Sequence, residues 1–114
     1  MNNQERRSYP RVKLITKVTN VAGDFFHYYY SRDLSLGGIF LETREPFPVG
    51  TQVNLEFPLP GIARRVAVRG KVVRMVASEE KDPSVVPGMG IQFGPIDEET
   101  QGMLAEFIAN IMTR

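Results

Sequence analysis

The sequence predicts an all-β fold, a six-stranded antiparallel barrel completed by one C-terminal helix. Two observations carry this expectation. Between Val12 and Phe93 the apolar residues fall at every second position in short runs divided by glycine, proline and aspartate. That is the period of half-buried strands between turns. After Asp97 the period lengthens, and Met103, Leu104, Phe107, Ile108 and Ile111 form the apolar stripe of a helix. Short strands followed by a single helix suit a small barrel whose open end or flank the helix covers.

The first strand is read over 12–20 (VKLITKVTN), with Val12, Leu14 and Val18 on one parity and Lys13 and Lys17 on the other. A VAGD turn leads to a second strand, 25–32 (FFHYYYSR), rich in aromatics that favour extended backbone. Alternation puts Phe25 and Tyr29 on one face and Phe26, Tyr28 and Tyr30 on the other, so one set is expected to face the core. DLSLGG reads as a loop with paired glycines, and GIFLET as a short third strand. TQVNLEFPL alternates through Val53, Leu55, Phe57 and Leu59 before a turn at Pro60–Gly61. In 64–77 Val66, Val68 and Val72 keep phase, then the pattern slips to Val73, Met75 and Ala77. A bulge near Gly70 is expected there. SEEKDPSVVP is a charged loop, and GMGIQF restores the alternation through Met89, Ile91 and Phe93. Asp97 then caps the helix, with Glu98 and Glu99 in its positive first turn.

A chain of 114 residues, 42% hydrophobic and 24% charged, is expected to form one domain with one core. No apolar run reaches the roughly 20 residues of a membrane helix, and nothing resembles a secretory signal, so a cytoplasmic protein without membrane insertion is expected. The absence of cysteine excludes disulfides and thiolate metal sites. A net charge of +1 hides an uneven distribution. Arg6, Arg7, Arg11, Lys13 and Lys17 crowd the start, and Arg64, Arg65, Arg69, Lys71 and Arg74 follow one another without an acid. Seven acids then stand between 79 and 106 against Lys81 alone. Such asymmetry suits an anionic partner.

Enzyme chemistry finds little support. His27 is the only histidine and lies within the aromatic strand, and no HExxH, Walker loop or nucleophile elbow occurs. No metal site is expected from one histidine and no cysteine. The aromatics of 25–30 offer a base-stacking platform of the kind small barrels present to single-stranded nucleic acid. Packing in the core and on an amphipathic surface explains them more simply. The third candidate joins RRSYPR (Arg6, Arg7, Arg11) to DLSLGG, where Asp33, Ser35 and Gly38 have the spacing DxSxxG. Asp33 and Ser35, two apart, project from the same side of an extended segment. The glycine permits a sharp turn or close approach of a ligand. Asp and Ser side chains also stabilise turns by themselves, which is the competing reading.

Together, RRxxxR at 6–11 and DxSxxG at 33–38 resemble the motifs of the PilZ family, whose members bind the bacterial second messenger cyclic di-GMP. The resemblance covers ERRSYPR, YSRDLSLGGIFLET, the PFPVGT turn and PGMGIQF, nearly the whole chain. It looks most like the short, single-domain members of myxobacteria and their relatives. It implies a PilZ-like barrel over 12–96, an arginine-rich, flexible clasp over 1–11 and a helix over 97–112. It also implies cyclic di-GMP as ligand, with Arg6, Arg7, Arg11, Asp33, Ser35 and Gly38 as its site, no cofactor, and no DNA or RNA partner.

That ligand suits the residues. Guanidinium matches phosphate, forks onto guanine O6 and N7, and stacks on purines. Asp33 can accept from guanine N1–H and its exocyclic amine, Ser35 can donate a hydroxyl, and Gly38 keeps the loop clear of the purine. The expected function is a non-enzymatic receptor whose N-terminus orders on binding and which signals to a protein partner the residues do not name. Motility, pilus and exopolysaccharide control are the processes the resemblance implies. The alternative is a PilZ-like interaction scaffold with weak or no nucleotide binding. A nucleic-acid-binding barrel stands third.

Overall fold

The computed structural model describes residues 9–79 and 81–113. Seven strand segments precede one helix: β1 (Val12–Lys13), β2 (Lys17–Ala22), β3 (Phe25–Leu34), β4 (Gly38–Glu42), β5 (Gln52–Phe57), β6 (Val66–Val76), β7 (Gly88–Phe93) and α1 (Glu98–Met112). The sheet order is β1-β3-β2-β5-β6-β7-β4, and β4 returns to pair with β3. Strands β2 to β7 therefore close a six-stranded, fully antiparallel barrel, while β1 adds to the end of β3.

The inward parity is the one expected. Val18, Val53, Leu55, Phe57, Val66, Val72, Met89 and Ile91 are buried, as are Val12 and Leu14. Asp97 caps α1, its Oδ1 accepting from the Thr100 N–H at 2.7 Å. The Thr100 backbone and hydroxyl, with Arg64 beside them, hold the Asp97 carboxyl below the usual carboxylate range. Arg64 also pairs with Glu99. Leu104, Phe107 and Ile108 are buried, and α1 packs against β1 and β6. Each such side chain contributes about 1.5–3 kcal/mol, so the stripe holds the helix to the barrel. No helix among the described residues is long and apolar enough to cross a membrane.

Four local expectations are corrected. The strand read over 12–20 is interrupted, because β1 pairs Lys13 with Asp33 whereas β2 pairs Lys17 with Tyr30. Residues 14–16 thus face only 31 and 32. Ser31 bridges the gap: its buried hydroxyl donates to the Leu14 carbonyl at 2.5 Å and accepts from the Thr16 N–H at 3.1 Å. Second, β3 runs on to Leu34, which makes Asp33 a strand residue rather than a loop residue. Third, the irregularity in β6 lies between Val72 and Arg74 and not at Gly70. Gly70 is required for another reason, since a Cβ there would stand 2.8 Å from the Gln92 carbonyl oxygen of β7.

The fourth correction concerns the aromatics. Neither set is buried in the core, and Tyr29 alone packs against it: Phe25, Phe26, Tyr28 and Tyr30 are 72%, 55%, 58% and 59% exposed. Only Tyr29 is half-buried, edge-on to Phe47 with ring centroids 6.4 Å apart. The cause is topological. Strand β4 pairs with β3 only from Tyr30 onward, and β5 meets β2 only at Thr19 and Asn20. The β2–β3 hairpin therefore projects beyond the closed barrel and takes its aromatics with it.

Candidate ligand-binding site

The two arginine-and-aspartate motifs meet through strand register. Because β1 pairs Val12 with Leu34 and Lys13 with Asp33, the residue before β1, Arg11, falls opposite Ser35. Its guanidinium donates from Nε and Nη2 to Asp33 Oδ1, at 2.8 and 2.5 Å. Its Nη1 donates to Ser35 Oγ at 3.2 Å. Arg11 and Asp33 remain partly exposed, so this pair is presented to solvent rather than sealed in the core. All the bonds between them end on Oδ1, and Oδ2 accepts none among the described residues.

Ser35 plays a different part from the one expected of it. It is 2% exposed. Its Oγ accepts from the N–H groups of Gly37 and Gly38, at 3.1 and 3.2 Å, as well as from Arg11. Its own N–H donates to the Gly38 carbonyl at 2.9 Å. The hydroxyl is therefore the hub of the β3–β4 turn and ties it to Arg11. Gly38 is likewise spent on the fold. Its N–H is taken by Ser35, and a Cβ would lie 2.2 Å from the Ile91 carbonyl oxygen of β7. The position that keeps the groove open is Gly37, where a Cβ would stand 3.0 Å from the Tyr9 ring. Arg6 and Arg7 lie outside the described residues. Arg11, assigned by sequence to the flexible clasp, is already anchored.

A groove of about 770 Å³ opens beside this cluster, lined among others by Tyr9, Arg11, Gly37, Arg74 and Gln92. Residues of β4, β6 and β7 also line it. Gly88 leaves room for the edge of the Phe40 ring, since a Cβ there would stand 2.7 Å from it. The Arg74 guanidinium lies over that ring, 5.4 Å from its centroid. Arg74 forms no ion pair among the described residues. Two guanidinium groups, those of Arg11 and Arg74, thus line one groove, with the Asp33 carboxylate held by the first. Such a site suits an anion that also offers hydrogen-bond donors.

Tyr9, Gly37, Phe40 and Arg74 were not singled out from the sequence. The first glycine of DLSLGG and the position of Arg74 in an uncompensated basic run were the available signals, and neither fixes a direction in space. His27 lies on the exposed hairpin near Phe47, with ring centroids 6.2 Å apart, away from the groove. Among the described residues no group of histidine, cysteine and carboxylate side chains is arranged to hold a metal.

Comparison with known proteins gives the architecture a family. The family model of the PilZ domain matches residues 5–110. No curated protein matches the chain by sequence. Among solved structures, the inhibitor of motility MotI (DgrA) of Bacillus subtilis superposes with a TM-score of 0.76 at 20% identity, over 96% of this chain and 52% of that one. The PilZ domain of YcgR from Escherichia coli with c-di-GMP gives 0.72 at 19% identity, covering 95% and 92%. The K. pneumonia MrkH–c-di-GMP complex gives 0.76 at 15%, covering 95% and 53%. The chain spans about half the length of MotI and of MrkH. At such identities these likenesses establish a shared fold.

Proposed function

The chain belongs to the PilZ family, and from that premise we propose that it is a cyclic di-GMP receptor, holding the nucleotide in the groove beside Arg11 and Asp33. The observation that carries this reading is the convergence of Arg11, Asp33 and Ser35 at the rim of that groove. Cyclic di-GMP has two phosphates and two guanines. Arg11 is placed to meet a phosphate or a guanine O6/N7 edge. Asp33 Oδ2, which accepts no bond among the described residues, is placed to accept from guanine N1–H and its amine. Ser35 and Gly38 act by shaping the turn, and the RRxxxR motif supplies Arg6 and Arg7 as further contacts. A volume of about 770 Å³ falls within the range of ligand clefts. Two of the structural neighbours hold c-di-GMP, which supports the ligand class.

The receptor passes its signal to a protein partner, and control of motility is one output, as the name of MotI suggests. Ordering residues costs roughly 1–2 kcal/mol of backbone entropy each. Charge-assisted contacts at about 1.5–3 kcal/mol each can offset that over the short stretch before β1. Ligand then changes the surface beside DLSLGG with little movement of the strands.

Titration calorimetry tests the reading. Wild-type protein should bind cyclic di-GMP and discriminate against cyclic di-AMP, whose adenine lacks an N1–H to donate. Absence of binding would leave the interaction scaffold as the better account. Equal affinity for both nucleotides would remove Asp33 from base recognition. Amide exchange should slow at 5–11 and 32–39 on adding ligand and hold steady at 53–59.

A further inference from the structure

None of the aromatic residues of the β2–β3 hairpin lines the groove, and the nucleotide reading makes no use of them. We infer that the hairpin is a self-association surface, on which the free edge of β3 at Phe26 and Tyr28 pairs antiparallel with the same edge of a second copy of this chain.

The edge is identified by hydrogen-bond direction. The Ser31 N–H donates to the Thr16 carbonyl at 3.0 Å, in step with the β2–β3 ladder. Odd-numbered residues of this stretch therefore turn their backbone groups toward β2, and Phe26 and Tyr28 turn theirs the other way. On that side β4 begins its pairing only at Tyr30. Among the described residues no loop backbone bonds to Phe26 or Tyr28 there. A row of donors and acceptors thus stands open at alternate residues.

That row is its own complement. Laid antiparallel about a two-fold axis at His27, Phe26 of one copy meets Tyr28 of the other, and each pair exchanges N–H···O=C bonds. Aromatic pairs directly opposite one another are among the favourable cross-strand combinations. No charged residue lies between Phe25 and Tyr30, so the edge lacks the lysine, glutamate or proline that ordinarily blocks such pairing. Four aromatics more than half exposed offer roughly 400–600 Å² per copy. The pair reaches at most about 1,200 Å², the lower limit of a specific interface, so the dimer is weak and reversible.

Charge favours a second copy over a polyanion. Lys17 Nζ lies 4.2 Å from the Tyr28 ring centroid and covers one stacking face. Arg32, at the barrel end of the stripe, is paired with Glu42 at 3.4 Å. Little free positive charge remains for single-stranded nucleic acid.

Sedimentation equilibrium from about 10 μM to about 1 mM should show a monomer–dimer equilibrium within that span. Hydrogen exchange by NMR should show the Phe26 and Tyr28 amides slowing with concentration, while those of His27 and Tyr29, already turned to β2, hold steady. The double variant Phe26→Lys/Tyr28→Lys should weaken the dimer by about tenfold or more, since it sets like charges opposite each other. Should it fail to fold, Phe26→Thr/Tyr28→Thr keeps strand propensity while removing the aromatic contact, and the same direction is expected. A monomer throughout the span overturns the inference. So does a dimer that leaves the Phe26 and Tyr28 amides unprotected, or salt-dependent binding of oligodeoxythymidylate by this face with no self-association.

Discussion

The two ends of β3 have opposite characters. At Asp33 and Leu34 the strand is paired on both sides, by β1 and β4, and the following turn is fixed by Ser35, Arg11 and the approach of β7. At Phe25–Tyr29 it is paired on one side only and stands clear of the barrel. Beside the buried Leu34, the constrained end holds Ser31, Asp33 and Ser35, while the free end exposes aromatics, the reverse of what burial by residue type suggests for those groups. Recognition of a small anionic ligand needs side chains held to within a fraction of an ångström, and the over-determined end supplies that. A surface for a macromolecule tolerates a looser frame.

This contrast can be broken by substitution. The largest effect is expected from Gly38→Ala, where the new methyl meets the Ile91 carbonyl. A loss of about 3 kcal/mol by urea unfolding is predicted, against a change within about 0.5 kcal/mol for Phe25→Ala at the free end. Equal effects at the two sites would show that the hairpin is as constrained as the turn. Arg11→Ala comes next: cyclic di-GMP affinity should fall about 10- to 150-fold, the worth of a charge-assisted contact, with the fold retained. Phe25→Ala measured in the same titration should bind as the parent does.

A smaller effect is expected at Gly37→Ala. Its Cβ would press the Tyr9 ring, a movable side chain, so stability should change by less than about 0.5 kcal/mol. The Tyr9 ring resonances should nevertheless shift, and shifts confined to Gly37 itself would mean that Tyr9 is not seated on this turn. The smallest lies away from both ends, at Asp97. Its folded pKa is depressed, so its contribution is present above the ordinary aspartate value of about 4 and is lost as pH falls through the lower folded value. Exchange at the Thr100 amide should accelerate over that fall in the parent. Asp97→Asn, which keeps a capping oxygen, should not show the acceleration.

Much of this contrast could not be read from the chain. The parity of Val53, Leu55 and Phe57 announces a strand with one buried face, because hydrophobic burial acts locally and repeats every second residue. The cap at Asp97 and the stripe of α1 are legible for the same reason. The meeting of Arg11 with Asp33 and Ser35 was legible only as two motifs with a family resemblance. The register that joins them is set by pairing between distant segments. The exposed aromatics misled because FFHYYY has the composition of a core strand, and only the lengths of β4 and β5 leave it outside. Gly38 and Gly70 looked like features of a loop and a bulge, yet both answer to the backbone of β7.

The extra residue between β1 and β2 sets the phase of the site. Three residues, 14–16, span a gap that two bridge on β3, and so Arg11 stands opposite Ser35 rather than Leu36. The irregular pairing across this connector is thus part of the recognition code, written in a segment that belongs to neither motif. Removing the exposed Ile15 would leave every motif residue in place and every core residue in the sequence. A ladder that then continued in the β2 register would pair Thr16 with Ser31 and Leu14 with Arg32, and would still bring Arg11 opposite Ser35. Two relatives with identical motifs but one residue of difference in this connector would then share both the fold and the meeting of Arg11 with Ser35, the irregular pairing absorbing the difference.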